Sequence, residues 1–64
     1  MEFSEQLKYV RSTLDMSQED LARALSVSFA TVNRWENSKT RPIKVARLAF
    51  NDFCKINGID LADS

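Results

Sequence analysis

The chain has 64 residues, which suffice for a single domain over 1–64 with a small core and a marginal folding free energy. Its one cysteine, Cys54, excludes an internal disulfide, and the lack of histidine excludes the common zinc sites, so we expect no metal and no cofactor. Nine basic residues balance nine acidic residues, and this net charge of zero argues against nucleic-acid binding. No apolar run approaches the ~20 residues of a membrane span, and the N-terminus lacks the apolar core of a signal peptide, so we expect a cytoplasmic protein without a membrane partner.

The first part of the sequence predicts two helices. Apolar residues recur at intervals of three and four at Leu7, Val10 and Leu14. This spacing predicts a helix over about residues 3–14. Ser17 is a favourable N-cap, and Asp20 stands at the third helical position as in a capping box, so a second helix is predicted over 18–25.

A third helix follows almost at once. Ser28 repeats the N-cap signal and predicts a helix over 29–36. Only Ser26 and Val27 lie between the second helix and this cap, and so short a link forces the two helices to cross sharply. The pair is therefore predicted to form a helix-turn-helix over about 17–37.

The last predicted helix runs over about 43–57. Pro42 suits the first helical position, and Gly58 suits the position after the end of the helix. Apolar residues cover well over half of its circumference: Ile43, Val45, Ala46, Leu48, Ala49, Phe50, Phe53, Cys54 and Ile56. One core needs an apolar stripe only about 100° wide. Either the other three helices wrap this helix deeply, or its excess apolar surface meets a second copy; we favour the second and expect a homodimer through this helix.

The segment MSQEDLARALSVSFATVNRWENSKTRP resembles the helix-turn-helix of the Cro and phage-repressor family, also called lambda-repressor-like or XRE. The matching positions are Ser17, Gln18, Leu21, Ala22, Val27, Ser28, Val32, Trp35, Glu36 and the stretch 39–42. With LKYVRSTL before it, the resemblance covers about residues 5–45. It implies a compact all-α bundle of four or five helices that binds operator double-stranded DNA, usually as a two-fold dimer.

Two serines stand where this family usually has glycine. Ser26 occupies the turn, where the backbone tends to be left-handed, and Ser38 occupies the C-cap of the third helix. A residue other than glycine in that conformation costs roughly 1 kcal/mol, so we expect a small loss of stability at each serine. The single long helix after Pro42 also differs from the two short helices common in the family.

The third helix would then be the recognition helix, with its N-terminal turns against base edges in the major groove. Val32 and Trp35 face the core, and the outward positions are then Phe29, Ala30, Thr31, Asn33 and Arg34. Asn33 lies on the flank, and the other four are the candidates for base contacts. Arg34 can donate two hydrogen bonds to guanine, and its alternatives are a phosphate contact or a solvated side chain. Phe29, Ala30 and the Thr31 methyl group can pack on thymine methyls, while the alternative for Phe29 is a core or dimer contact.

The basic residues concentrate around this helix. Residues 29–47 contain five basic residues and one acidic residue, a local net charge of +4 between acidic ends. Such a patch can hold phosphate although the whole chain is neutral. The predicted phosphate contacts are Gln18, Asn33, Asn37, Lys39, Thr40, Arg41 and Lys44. For Gln18 this role is implied by the resemblance, which places it at the DNA backbone; otherwise it is only a favourable early-helix residue.

The resemblance also implies a structural ion pair between Arg11, late in the first helix, and Glu36. If partly buried, this pair would tie the first helix to the third. Loss of one partner would then destabilise the fold more than loss of a surface ion pair.

We expect a DNA-binding transcription regulator rather than an enzyme, because general acid–base chemistry has no recognisable site here. It would bind an inverted repeat as a dimer. One alternative is an antitoxin-like interaction module whose apolar last helix binds a protein partner. Another is the DNA-targeting head of a larger enzyme.

Overall fold

A computed structural model describes residues 1–38 and 41–61. Its four helices are α1 (Phe3–Leu14), α2 (Gln18–Leu25), α3 (Phe29–Asn37) and α4 (Lys44–Ile56), and the described residues contain no strand. The predicted all-α fold with a helix-turn-helix is therefore confirmed, with four helices in the described residues. The predicted helix bounds agree with the structure to within one residue.

A left-handed residue follows three of the helices within two positions of the helix end. The φ angle is 55° at Asp15, 58° at Ser26 and 72° at Gly58. After α2, the Val27 amide donates to the Ala22 carbonyl oxygen over 2.9 Å, and the Ser26 amide donates to the Arg23 carbonyl oxygen over 3.2 Å. This is a Schellman motif, which satisfies the last helical carbonyls and turns the chain towards α3. The left-handed serine expected at the turn is confirmed.

The end of α3 differs from the expectation. Ser38 has extended backbone, with φ −137° and ψ 166°, so the predicted left-handed strain at this position is wrong. The Ser38 amide and hydroxyl both donate to the Arg34 carbonyl oxygen, over 3.0 and 2.8 Å. These two bonds cap the helix without a left-handed residue.

The start of α4 also differs. Pro42 was expected at the first helical position, but the helix begins at Lys44 and Ile43 is its N-cap. Ile43 has extended backbone, and its carbonyl oxygen accepts the first helical bond from the Arg47 amide over 3.0 Å. The proline therefore precedes the cap instead of opening the helix.

All four helices contribute to one core. Its buried members are Leu7, Val10, Leu21, Ala22, Leu25, Val32, Trp35, Phe50 and Cys54. The Phe3 ring packs edge-on against both Trp35 and Phe50, with ring centroids 5.3 Å apart in each case. Ile59 and Leu61, beyond α4, pack against the same core. Since Trp35 is 5% exposed, it anchors α3 to the core.

One face of α4 lies outside this core. Phe50 and Cys54 are buried, whereas Val45, Leu48 and Ile56 are 73%, 52% and 83% exposed. At 3.6 residues per turn, the exposed residues lie on the side of the helix opposite the buried ones. The alternative in which the other helices wrap α4 deeply is therefore wrong. We refer to Val45, Leu48 and Ile56 as the α4 stripe.

Candidate nucleic-acid interface

The two helices of the motif begin with side-chain caps. The Ser17 hydroxyl oxygen accepts a bond from the Asp20 amide, and an Asp20 carboxylate oxygen accepts one from the Ser17 amide, each over 3.0 Å. At α3, the Ser28 hydroxyl oxygen accepts from the Thr31 amide over 3.1 Å. These caps fix where α2 and α3 begin, and so fix which residues of α3 face outwards.

The first turns of α3 expose one face to solvent. Val32 and Trp35 are buried, while Phe29, Ala30, Asn33 and Arg34 are exposed and Thr31 is half-buried. Phe29 is 49% exposed, which excludes a fully buried core position for its ring. All four residues predicted to contact bases are therefore at least partly exposed on α3.

Thr31 has a local role as well. Its hydroxyl shares a hydrogen bond of 2.8 Å with the Ser28 hydroxyl, beside the backbone cap. Because this bond engages the oxygen, the methyl group is the part of Thr31 that suits contact with a thymine methyl.

The Arg34 guanidinium has no hydrogen-bond, ion-pair or ring partner within residues 1–38 and 41–61. An arginine without a protein partner keeps its donors available for a bidentate contact with a base or a phosphate. Beside it, the Asn37 amide donates to the Asn33 carbonyl oxygen and side-chain oxygen, over 3.0 and 2.8 Å. Asn33 and Asn37, both candidate phosphate contacts, are therefore hydrogen-bonded to each other along one face of α3.

Glu36 accepts three hydrogen bonds from two residues behind this face. Arg11 donates from Nε to Oε2 over 2.7 Å and from Nη2 to Oε1 over 2.8 Å, which makes a bidentate ion pair. The Gln18 amide donates to Oε1 over 3.0 Å. Arg11 also donates to the Met16 carbonyl oxygen over 3.3 Å. We refer to Arg11, Gln18 and Glu36 as the Glu36 network; it joins α1, α2 and α3.

The Glu36 network keeps its carboxylate ionised. The Glu36 side chain is 2% exposed and that of Arg11 is 25% exposed. Burial raises the pKa of Glu36, but the hydrogen bonds from Arg11 and Gln18 outweigh burial and hold this pKa below its ordinary value of 4.5. The bond to Glu36 in turn raises the pKa of Arg11. Both groups are therefore charged at neutral pH, and the pair is fixed in one geometry.

Sequence reasoning missed the bond between Gln18 and Glu36. The two residues are 18 positions apart and on different helices, so no local pattern relates them. Gln18 was expected to contact the DNA backbone. Its amide group has a second N–H and an oxygen besides the N–H used here, so this bond does not occupy the whole side chain.

The basic residues after α3 flank the start of α4. Arg41 and Lys44 are exposed and line one open cleft of about 680 Å³ together with Ser38, Pro42, Arg47, Leu48 and residues 2–4. Arg41 and Lys44 thus lie on one side of the molecule. The phosphate contacts predicted for Lys39 and Thr40 lie outside the described residues.

Two short capped helices, joined by a left-handed turn and anchored through a partly buried ion pair, define a helix-turn-helix domain. A family model described as helix-turn-helix, of the XRE and Cro/C1 type, matches residues 7–48. The chain belongs to this family. No curated protein and no solved structure matches the chain.

Family membership makes the chain a DNA-binding domain of the kind found in transcription regulators, a family that is not typically enzymatic. None of the described helices is long and apolar enough to cross a bilayer. Among the described residues, no three potential metal-ligating side chains from His, Cys, Asp or Glu come together.

Proposed function

We propose that the chain is a sequence-specific regulator that binds double-stranded DNA as a homodimer, with α3 in the major groove. The observation that carries this proposal is the exposed face of α3. One side of that helix is held in the core by Val32 and Trp35, and the other presents Arg34, whose guanidinium has no partner among residues 1–38 and 41–61. A helix that is anchored in the core and exposes an arginine on its outer face is suited to reading base edges.

Base and phosphate contacts divide along the motif. Phe29, Ala30, Thr31 and Arg34 contact bases, with Arg34 on a guanine and the apolar groups on thymine methyls. The backbone contacts come from Gln18, Asn33, Asn37, Lys39, Thr40, Arg41 and Lys44. Phosphate contacts set the register of the helix in the groove, whereas base contacts supply the sequence preference.

The α4 stripe supports the homodimer. Its three apolar side chains are more than half exposed and lie away from the core of their own chain. A second copy that packs on the stripe removes this apolar surface from water. Two-fold symmetry then presents two copies of α3 to two half-sites of an inverted repeat, about one helical turn apart.

Dimerisation also compensates for the weak DNA affinity expected of a chain with zero net charge. A neutral chain gains little from general attraction to DNA, because non-specific affinity comes from neutralised phosphates. Two linked domains bind the second half-site at a high effective concentration, which raises the affinity for a full operator. The regulator is therefore expected to depend on an intact two-part site.

Selection of bound sequences from a pool of random duplex DNA tests the proposal. The expected result is an inverted repeat with a guanine in each half-site. A pool that remains random after several rounds, with a folded and dimeric protein, would refute sequence-specific binding.

The α4 stripe favours one other function, that of an interaction module for a different protein. Light scattering on the purified chain separates the two. A defined dimer with sequence selection supports the DNA-binding regulator. A monomer that selects no sequence supports the interaction module.

A further inference from the structure

Arg47 of α4 is held by residues of α1. Its Nη1 donates to the Gln6 side-chain oxygen over 2.7 Å, and Gln6 is only 4% exposed. The guanidinium carbon lies 5.3 Å from the centre of the Phe3 ring and 5.9 Å from the centre of the Phe50 ring. A cation in this position is attracted by the faces of both rings.

Phe3 extends this connection to the recognition helix. Its ring packs edge-on against Trp35 of α3 and against Phe50 of α4, at 5.3 Å in both cases. Arg47, Phe3 and Trp35 therefore form a continuous series of contacts from α4 through α1 to α3. Edge-on aromatic packing is directional, so it restrains the angle between the elements that it joins.

The angle between α3 and α4 matters because each helix has a different task in the proposed dimer. The α4 stripe meets the second copy, and α3 enters the groove. The distance between the two recognition helices therefore depends on how α4 is held against α3 within each chain. One base pair added between half-sites moves them apart by about 3.4 Å and rotates them by about 34°. A small change in the angle between α3 and α4 therefore changes which half-site spacing the dimer fits.

We propose that Arg47 is a positioning residue that sets the half-site spacing accepted by the dimer. This inference rests on the proposed function. Arg47 is half-buried as a residue, its Nη1 donates to the Gln6 oxygen, and its guanidinium lies over the two rings. It also lines the cleft beside Arg41 and Lys44. Its positioning role acts through Gln6 and Phe3, and the spacing test below separates this role from a phosphate contact.

The first test measures the two helices without DNA. Spin labels are placed at Ala30 on α3 and Asn51 on α4, both exposed, in a Cys54→Ala background. Labelled protein is diluted with unlabelled protein so that each distance belongs to one chain. Arg47→Met keeps an apolar stem on the rings but removes the charge and the hydrogen bond. We expect a broader or displaced distance distribution in Arg47→Met. The control Lys55→Met removes an exposed cation from the same helix, and we expect it to leave the distribution unchanged.

The second test measures DNA spacing. Inverted repeats built from the selected half-sites are made with their centres moved apart by one base pair at a time. The wild-type dimer is expected to prefer one spacing, and Arg47→Met is expected to reduce that preference by about threefold or more. Arg47→Lys, which keeps a cation near the Phe3 ring, is expected to restore part of the preference.

Three results would overturn the role of Arg47. The first is an unchanged distance distribution in Arg47→Met. The second is a changed distribution with an unchanged spacing preference. The third is an equal loss of affinity at every spacing with a weaker salt dependence, which marks a phosphate contact. A wild-type chain that selects no duplex refutes the proposed function and, with it, the spacing role, while the distance measurement still decides whether Arg47 fixes α4 to α3.

Discussion

Replacement of Glu36 by glutamine tests the Glu36 network. The substitution keeps the size of the side chain but removes its charge and puts an amide where donors from Arg11 and Gln18 converge. Breaking a fully buried ion pair by loss of one partner costs about 3–5 kcal/mol. Glu36 is almost fully buried, but Arg11 is a quarter exposed and stays partly hydrated, so we expect a loss of about 2–3 kcal/mol.

This loss is large for so small a chain. At about 0.05–0.15 kcal/mol per residue, the whole free energy of unfolding is roughly 3–10 kcal/mol. Urea unfolding at pH 7, followed by far-ultraviolet circular dichroism, measures the change directly. Glu19→Gln makes the same chemical change at an exposed position of α2 and serves as the control. A loss below about 0.5 kcal/mol for Glu36→Gln is what the loss of a surface ion pair would cause, and it would refute the anchoring role of the network.

The same experiment at lower pH gives an independent check. The pKa of Glu36 is lower in the folded chain than its ordinary value of 4.5, so below that pH the unfolded chain takes up the proton first. The stabilisation by Glu36 is therefore complete at neutral pH and is lost as the pH falls below about 4.5. The stability difference between wild type and Glu36→Gln should shrink over this range. A difference that stays constant down to pH 3 would contradict the assigned direction of the shift.

Three further predictions concern recognition, the turn and the dimer. Arg34→Ala should reduce discrimination at one guanine of each half-site by about 1–3 kcal/mol in competition binding; an unchanged base preference would remove Arg34 from base recognition. Ser26→Gly should raise the free energy of unfolding by about 0.5–1 kcal/mol in urea titration, because glycine relieves the left-handed strain; a loss of stability would contradict that reading. Leu48→Asp should convert the dimer to a folded monomer in light scattering, whereas Tyr9→Asp, at a similarly exposed position on α1, should leave the dimer intact; equal behaviour of the two variants would exclude the α4 stripe as the interface.

The helices could be predicted from the sequence because their boundaries rest on local chemistry. Ser17 and Ser28 cap the helix that each precedes, and Gly58 ends α4 in a left-handed conformation that favours glycine. Such signals act within a few residues and hardly depend on the rest of the fold. The two details that were wrong concern Ser38, which has extended backbone, and Pro42, which precedes the Ile43 cap; residue preferences alone do not determine these backbone conformations.

The connections between helices could be predicted only in part. The pairing of Arg11 with Glu36 follows from the family pattern. The hydrogen bond from Gln18 to the Glu36 carboxylate does not, and neither does the contact of Arg47 with Phe3. These contacts join residues far apart in the chain, and they depend on side-chain rotamers inside a packed interior. A hydrophobic pattern indicates which face of a helix is buried, but not which polar groups meet beneath it.

The most direct test of the central claim follows the backbone amides of the isotope-labelled chain by NMR while a selected duplex is added. The account predicts that the largest shifts fall on the first turns of α3, from Phe29 to Arg34, with smaller ones at Gln18 and at the start of α4. Arg34→Ala should weaken these shifts at a given DNA concentration. Shifts confined to α1, with the amides of α3 unchanged, would contradict the claim that α3 reads DNA.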